Sequence, residues 1–350
     1  MNVRRPISTT ATAGAALLGL LTLSACAGSS GGAKADKDGK LDVVASFYPM
    51  QFLAEQIGGD KVSVTTLTKP GVEPHDLELK TRQIAELGEA DYILYLKGLQ
   101  PAVDDAVRQA GVADTVDAAT LTTLESHGTA VDGHDHGAHE GEAHTDGPHA
   151  EESHAGESHA GETHAEESHD HAHEGEAGAD PHIWLDPVKY AEVAKGVGAS
   201  LAKADPDNAA TYRKNADELV KKLGALDTAF RDGLKNTTTR TFISTHSAFG
   251  YLAERYGLDQ ESISGLDPES EPSPARIKEL QAIAKKEKVT TVFFETLASD
   301  RTAKTLAADT GLKTDVLDPL EGITDRSKGA DYLAVMRANL AALEKALGAK

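Results

Sequence analysis

The sequence predicts an α/β fold on three observations. Short runs rich in β-branched residues alternate with stretches of helical spacing. A long charged stretch in mid-chain carries apolar residues at helical intervals. Three histidines fall where strand-like runs end or helix-like stretches begin. The strand-like runs are Leu41–Ser46, Val62–Thr68, Asp91–Leu96, Arg240–Thr245, Thr290–Glu295 and Lys313–Leu317, and Val188–Lys203 reads as helix. From Pro206 to about Leu234, the residues Tyr212, Leu219, Leu223, Leu226 and Phe230 recur near a helical period. They predict one helix of roughly 40 Å at about 1.5 Å per residue; two shorter helices broken at Gly224 are the alternative.

Upstream of the first strand the chain carries an export pattern. Arg4 and Arg5 precede the apolar stretch Ala11–Leu23, too short and too poorly flanked to span a bilayer. It runs into Leu23-Ser24-Ala25-Cys26, the small-residue pattern of a bacterial lipobox, so a signal over residues 1–25 and a lipidated Cys26 are expected. Cys26 is the only cysteine, which leaves no internal disulfide and places the stability of the domain in its hydrophobic core. The Arg pair alone is a weak indication of twin-arginine export over the general route. Residues 26–40, rich in Gly and Ser, read as a flexible tether. No later apolar run reaches about 18 residues, so the mature chain is expected to sit outside the membrane, held by its lipid.

The formal charge of -21 is concentrated in one place: residues 127–180 hold fifteen Asp and Glu and no Lys or Arg. Outside them the chain is mildly acidic, which argues against a nucleic-acid partner. The same segment carries twelve of the fifteen histidines, and from His149 they recur every five residues through His154, His159, His164 and His169. A five-residue period fits neither helix nor strand, and large apolar side chains are almost absent, so residues 127–179 predict a disordered surface loop. Its imidazoles, His134, His136, His139, His144, His149, His154, His159, His164, His169, His171 and His173, interleave with carboxylates and suit weak, multidentate binding of zinc, copper or nickel.

Only His75, His182 and His246 remain. His75 follows the second strand-like run in Pro70-Gly71-Val72-Glu73-Pro74-His75. His182 lies in a turn before Val188–Lys203, and His246 follows Arg240–Thr245. Loops at the carboxyl ends of parallel strands converge on a ligand cleft, so the three are placed to meet.

At these junctions the sequence resembles the zinc- and manganese-type substrate-binding proteins of bacterial ABC importers, over nearly all of Leu41 to the C-terminus. The resemblance is carried, in order, by Phe47-Tyr48-Pro49, Pro70–His75, Asp180-Pro181-His182-Ile183-Trp184-Leu185-Asp186-Pro187, Thr245–Tyr251, Glu271-Pro272-Ser273-Pro274 and Leu317-Asp318-Pro319-Leu320-Glu321. It implies two α/β lobes joined by a single rigid helix with metal in the cleft between them: an N-terminal lobe over 41–205, a linking helix over 206–235 and a C-terminal lobe over 236–350. It implies His75, His182 and His246 as ligands with a fourth from Leu317–Glu321, Glu321 first and Asp318 as the alternative. Three neutral imidazoles and a carboxylate suit zinc, whereas the manganese branch exchanges one imidazole for a carboxylate. A His-rich loop ahead of the second histidine is typical of the zinc branch. The resemblance further implies a monomer working with the permease and ATPase of a metal importer.

Three carboxylates near the expected cleft invite separate readings: Glu73 as a replacement or helper of the fourth ligand, Asp76 as an orienting partner of an imidazole, and Glu295 as a structural cap or pair. A zinc hydrolase is disfavoured, since the chain has no His-Glu-x-x-His helix and no Gly-x-Ser-x-Gly elbow. An extracellular metal buffer, in which the His-rich loop is the main functional part, is the remaining alternative.

Overall fold

The structure, a computed structural model, describes residues 39–127 and 179–350. The expected signal, Cys26 and the histidines from His134 to His173 lie outside the described residues. Among the described residues no helix is long and apolar enough to cross a membrane.

The first half runs β1 (Leu41–Ala45), α1 (Tyr48–Gly58), β2 (Val62–Thr66), α2 (Thr81–Glu89), β3 (Tyr92–Tyr95), α3 (Pro101–Ala110), β4 (Thr115–Asp117) and α4 (Pro187–Ala204). The long α5 (Ala209–Leu234) leads into β5 (Thr241–Ser244), α6 (Gly250–Tyr256), β6 (Asp259–Ser262), α7 (Pro274–Lys286), β7 (Thr291–Phe294), α8 (Arg301–Thr310), β8 (Lys313–Val316) and α9 (Tyr332–Leu347). The strands form two parallel four-stranded sheets, ordered β2-β1-β3-β4 and β6-β5-β7-β8. The two lobes therefore repeat one strand order.

Alternation along the strands sorts side chains to two cores per lobe. Val43, Ala45, Tyr92 and Leu94 face a large central core, while Val44 and Ile93 face a smaller one with Val103 and Val107 of α3. In the second sheet Phe242 and Phe293 turn to the central core, and Ile243 and Val292 turn to Leu280 of α7 and Leu306 of α8. The central core is continuous through both lobes, from Leu41 to Leu347, and takes in the buried stripe of α5: Tyr212, Leu219, Leu223, Leu226, Phe230 and Leu234.

Helix α5 passes through Gly224 without a break, so the single-helix expectation describes it and the two-helix alternative does not. Strands β4 and β6 were not legible as strands in the sequence. β4 is three residues long, too short to show a period, and β6 reads Asp-Gln-Glu-Ser on a sheet edge, where only Ser262 is buried.

Candidate metal centre

Two of the three cleft histidines are placed by the end of a strand and the third by the start of a helix. His75 sits on the loop after β2, where Gly71 takes the left-handed φ of 81° and Pro70 and Pro74 stiffen the turn. His246 lies two residues past β5. His182 precedes α4 in the turn whose last residue, Asp186, caps the helix by accepting from Val188 N at 2.7 Å. Glu321 comes from the segment after β8.

These four residues meet. One ligating atom of each lies within 4.8 Å of all the others. Glu321 Oε1 is the hub: His75 Nε2 and His182 Nε2 are each 3.2 Å from it, and His246 Nε2 is 3.3 Å away. A tetrahedral ion bonded at about 2.0–2.1 Å sets its ligand atoms about 3.3–3.4 Å apart, and the three separations from Glu321 Oε1 are close to that edge length. His182, His246 and Glu321 are buried, and His75 keeps 13% of its side chain exposed. Both His246 Nε2 and Glu321 Oε2 are buried without a hydrogen-bond partner, which makes them costly atoms unless a cation engages them.

Two of the rings are fixed from behind. His182 Nδ1–H donates to Asp180 Oδ1 at 2.7 Å, and His246 Nδ1–H donates to Glu295 Oε1 at 2.6 Å. A carboxylate on Nδ1 fixes the tautomer and directs the Nε2 lone pair into the cleft. The electrostatics follow. Burial alone would lower the pKa of His182, but Asp180 and Glu321 outweigh it and the value is raised. Burial likewise opposes, and Glu295 and Glu321 override, at His246, whose pKa is well above 6.5. Burial would raise Glu321, yet the surrounding imidazoles hold it well below the usual carboxylate range. The pocket is an electronegative cage that favours a cation.

The remaining expectations divide. Asp318 does not join the group: its Oδ1 accepts from Leu320 N at 2.9 Å and its Oδ2 from Thr296 Oγ1 at 3.2 Å. It builds the turn that presents Glu321. Asp76 is exposed, its backbone N–H reaching Glu73 Oε2 at 3.3 Å, and the orienting carboxylates are Asp180 and Glu295 instead. Glu295 is a pairing residue, and its pair is a cleft histidine. Glu73 stands close enough to Glu321 that burial and that neighbouring charge raise its pKa. His127, taken as the first residue of the His-rich loop, is packed in the structure: its ring meets the Tyr251 ring edge-on at 4.5 Å, and Asp180 holds its Nδ1. Aromatic packing and a carboxylate clamp fix a residue that composition alone groups with the loop.

Two parallel α/β lobes around a buried three-imidazole, one-carboxylate cage define a metal-binding protein of the bilobal substrate-binding class. Residues 43–346 match the family ZnuA, described as zinc-uptake complex component A, periplasmic, and the chain belongs to that family. It is 37% identical over 331 residues to the high-affinity zinc uptake system protein ZnuA of Bacillus subtilis, covering 93% of this chain and 94% of that one. It is 36% identical over 315 residues to the zinc-binding lipoprotein AdcA of Streptococcus pneumoniae, covering 88% of this chain and spanning only 56% of that relative's length. Among solved structures, the Zn(II)-bound ZnuA-like domain of Streptococcus pneumoniae AdcA is 32% identical with a TM-score of 0.66, over 88% of this chain and 99% of that one.

Proposed function

We propose that this chain is the extracytoplasmic substrate-binding component of a zinc ABC importer, which captures Zn2+ in the cleft and delivers it to a membrane permease driven by its ATPase. The observation that carries the reading is the convergence of three Nε2 atoms on Glu321 Oε1 at 3.2, 3.2 and 3.3 Å. Nitrogen-rich, four-coordinate geometry suits zinc; a manganese carrier would favour more oxygen. His75, His182, His246 and Glu321 are the ligands in this reading, with Zn2+ the cargo. The lobes are divided as 41–205 and 236–350 about the linking helix 206–235. The family membership and the names of the relatives support zinc uptake rather than enzymatic turnover. The lipobox at Cys26 and the lipoprotein relative support export and anchoring to the outer face of the cell membrane, and we read the protein as a monomer there.

Calorimetric titration of zinc into the wild type and His75→Ala tests this. His75 is the least buried member of the cage, so its removal leaves the fold intact. The wild type is expected to show one tight site per chain above weaker binding by the His-rich loop, and the variant is expected to lose the tight site. Retention of that site in the variant would exclude His75 as a ligand and overturn the cleft reading.

A further inference from the structure

A second group of metal-ligating side chains lies outside the cleft, where the chain enters and leaves the His-rich segment. Glu125, His127 and Glu254 place one ligating atom each within 4.8 Å of the others. His127 Nε2 is 2.7 Å from Glu254 Oε2 and 3.7 Å from Glu125 Oε2. The histidine is mostly buried, with 16% of its side chain exposed, while Glu254 and Glu125 reach solvent. We propose that these three side chains form a second, surface zinc site, distinct from the cleft, whose histidine shares its orienting carboxylate with the cleft histidine His182.

The shared group is Asp180. Its Oδ2 accepts from His127 Nδ1–H at 3.1 Å and its Oδ1 from His182 Nδ1–H at 2.7 Å, and Tyr251 Oη donates to its backbone carbonyl at 2.8 Å. The outer histidine thus has the same support as the inner ones: a buried carboxylate behind Nδ1 that fixes the tautomer and turns Nε2 toward acidic ligands. A simple surface ion pair needs no such backing. Here the ring is also held by the edge-on Tyr251 contact.

The surroundings set the limits of the site. Lys189 Nζ donates to Glu125 Oε1 at 2.6 Å and to Thr123 O at 2.9 Å, which leaves Glu125 Oε2 on the side of His127. Bonds of about 2.0–2.2 Å to zinc require the His127 and Glu254 atoms to separate from 2.7 Å to about 3.3 Å, a movement the exposed Glu254 side chain can make. Asp180 and Glu254 raise the His127 pKa to about 9 against the opposing effect of burial, the mark of an acidic setting that favours a cation. With two carboxylates and one imidazole from the protein, the fourth position is open to water or to a further ligand.

Crystals of the full chain at one equivalent and at excess zinc, with anomalous differences measured at the zinc edge, test the proposal. The inference rests on the zinc-uptake reading only for its choice of ion, and the cleft peak reports on that reading separately. At one equivalent the cleft peak alone is expected; at excess a second peak is expected about 2.0–2.1 Å from His127 Nε2. His127→Gln should remove the second peak and keep the first, and the exposed Glu254→Gln should demand at least about tenfold more zinc for the same outer peak height. Absence of the outer peak at excess zinc overturns the proposal whatever the cleft holds. So does an outer peak that survives unchanged in both variants.

Discussion

The quality of the candidate metal centre is decided on the side of the imidazoles that faces away from the cleft. Asp180 and Glu295 hold the two fully buried rings by Nδ1, so each Nε2 is aimed before any ion arrives. Glu295→Gln keeps the shape of the side chain and removes the charge that supports His246. Zinc affinity is expected to fall about 10- to 100-fold in a competition titration with a chelator of known strength; an unchanged affinity would show that the charge of Glu295 adds nothing to its hydrogen bond with His246. His246→Ala is a harsher change, because it leaves the buried Glu295 carboxylate with the Thr245 hydroxyl but no imidazole against its charge, and a lower melting temperature of the zinc-free protein is expected alongside lost binding. His75, His182 and His246 are legible in the sequence, since each stands at a strand or helix junction once the biased segment is set aside, whereas Glu321 comes from the family resemblance with Asp318 beside it as the alternative. The orienting carboxylates are less so. Glu295 is 49 residues from His246, and nothing in its own strand marks it as facing a ring nitrogen. Asp180, two residues before His182 in the Asp-Pro-His turn, carried the one signal that could have been followed.

At the scale of elements, the turn after β8 shows how a carboxylate is held in place. Leu320 has φ 62°, a left-handed conformation that costs a non-glycine residue about 1–2 kcal/mol. The turn is closed by Asp318 Oδ1 on Leu320 N, and by Asn339 of α9, which accepts from Asp318 N at 3.0 Å and donates to Asp318 O at 2.7 Å. Asn339→Ala orphans two buried backbone groups at about 1–3 kcal/mol each. It should lower the melting temperature by several degrees and weaken zinc binding, because Glu321 loses its fixed pose; thermal melts and calorimetry check both. The acidic choice between Asp318 and Glu321 was open in the sequence because both stand in one five-residue string. Only the turn geometry separates the residue that builds the loop from the one it presents. Nearby, Lys328 and Lys345 of α9 each bond Asp315 of β8, at 2.7 and 2.8 Å, and hold its carboxyl well below the ordinary value against the opposing effect of burial. A depressed carboxyl contributes stability above its unfolded pKa of about 3.9 and loses it as pH falls through the lower folded value. For pairs whose lysines stand 45% and 72% exposed that contribution is at most about 1 kcal/mol. Asp315→Asn should therefore melt about 2–4 °C lower at pH 7, with the difference shrinking below about pH 4.

At the scale of the whole molecule, the lobes are not free to swing apart. The central core runs through both, and buried hydrogen bonds cross between them: Trp184 Nε1 to Pro319 O at 2.7 Å, Tyr332 Oη to Trp184 O at 2.5 Å, and Tyr251 Oη to Asp180 O at 2.8 Å. A hinge opening would expose Trp184 and break all three, at about 1–3 kcal/mol for each group left unpaired in addition to the apolar area exposed. Zinc entry therefore falls to the least constrained part of the cage. His75 is the one cage residue with exposed side-chain area, and its loop borders a cavity of about 770 Å³ lined by Thr68, Lys69, Pro70 and Gly71 on one side and Gly322, Ile323 and Thr324 on the other. Opening of the cage at the Lys69–Asp76 loop would leave α5 and both sheets in place, at the cost of the buried bond that Gln100 Nε2 donates to Pro74 O at 3.2 Å. Two measurements on the same samples check this. Hydrogen exchange is expected to slow on zinc binding in the β2–α2 loop and around Glu321, with α5 and the sheet strands unchanged. Small-angle scattering is expected to give the same radius of gyration with zinc and with chelator. A clear compaction on zinc addition, or new protection along α5, would show that the lobes close about the linking helix and that the loop is not the route of entry.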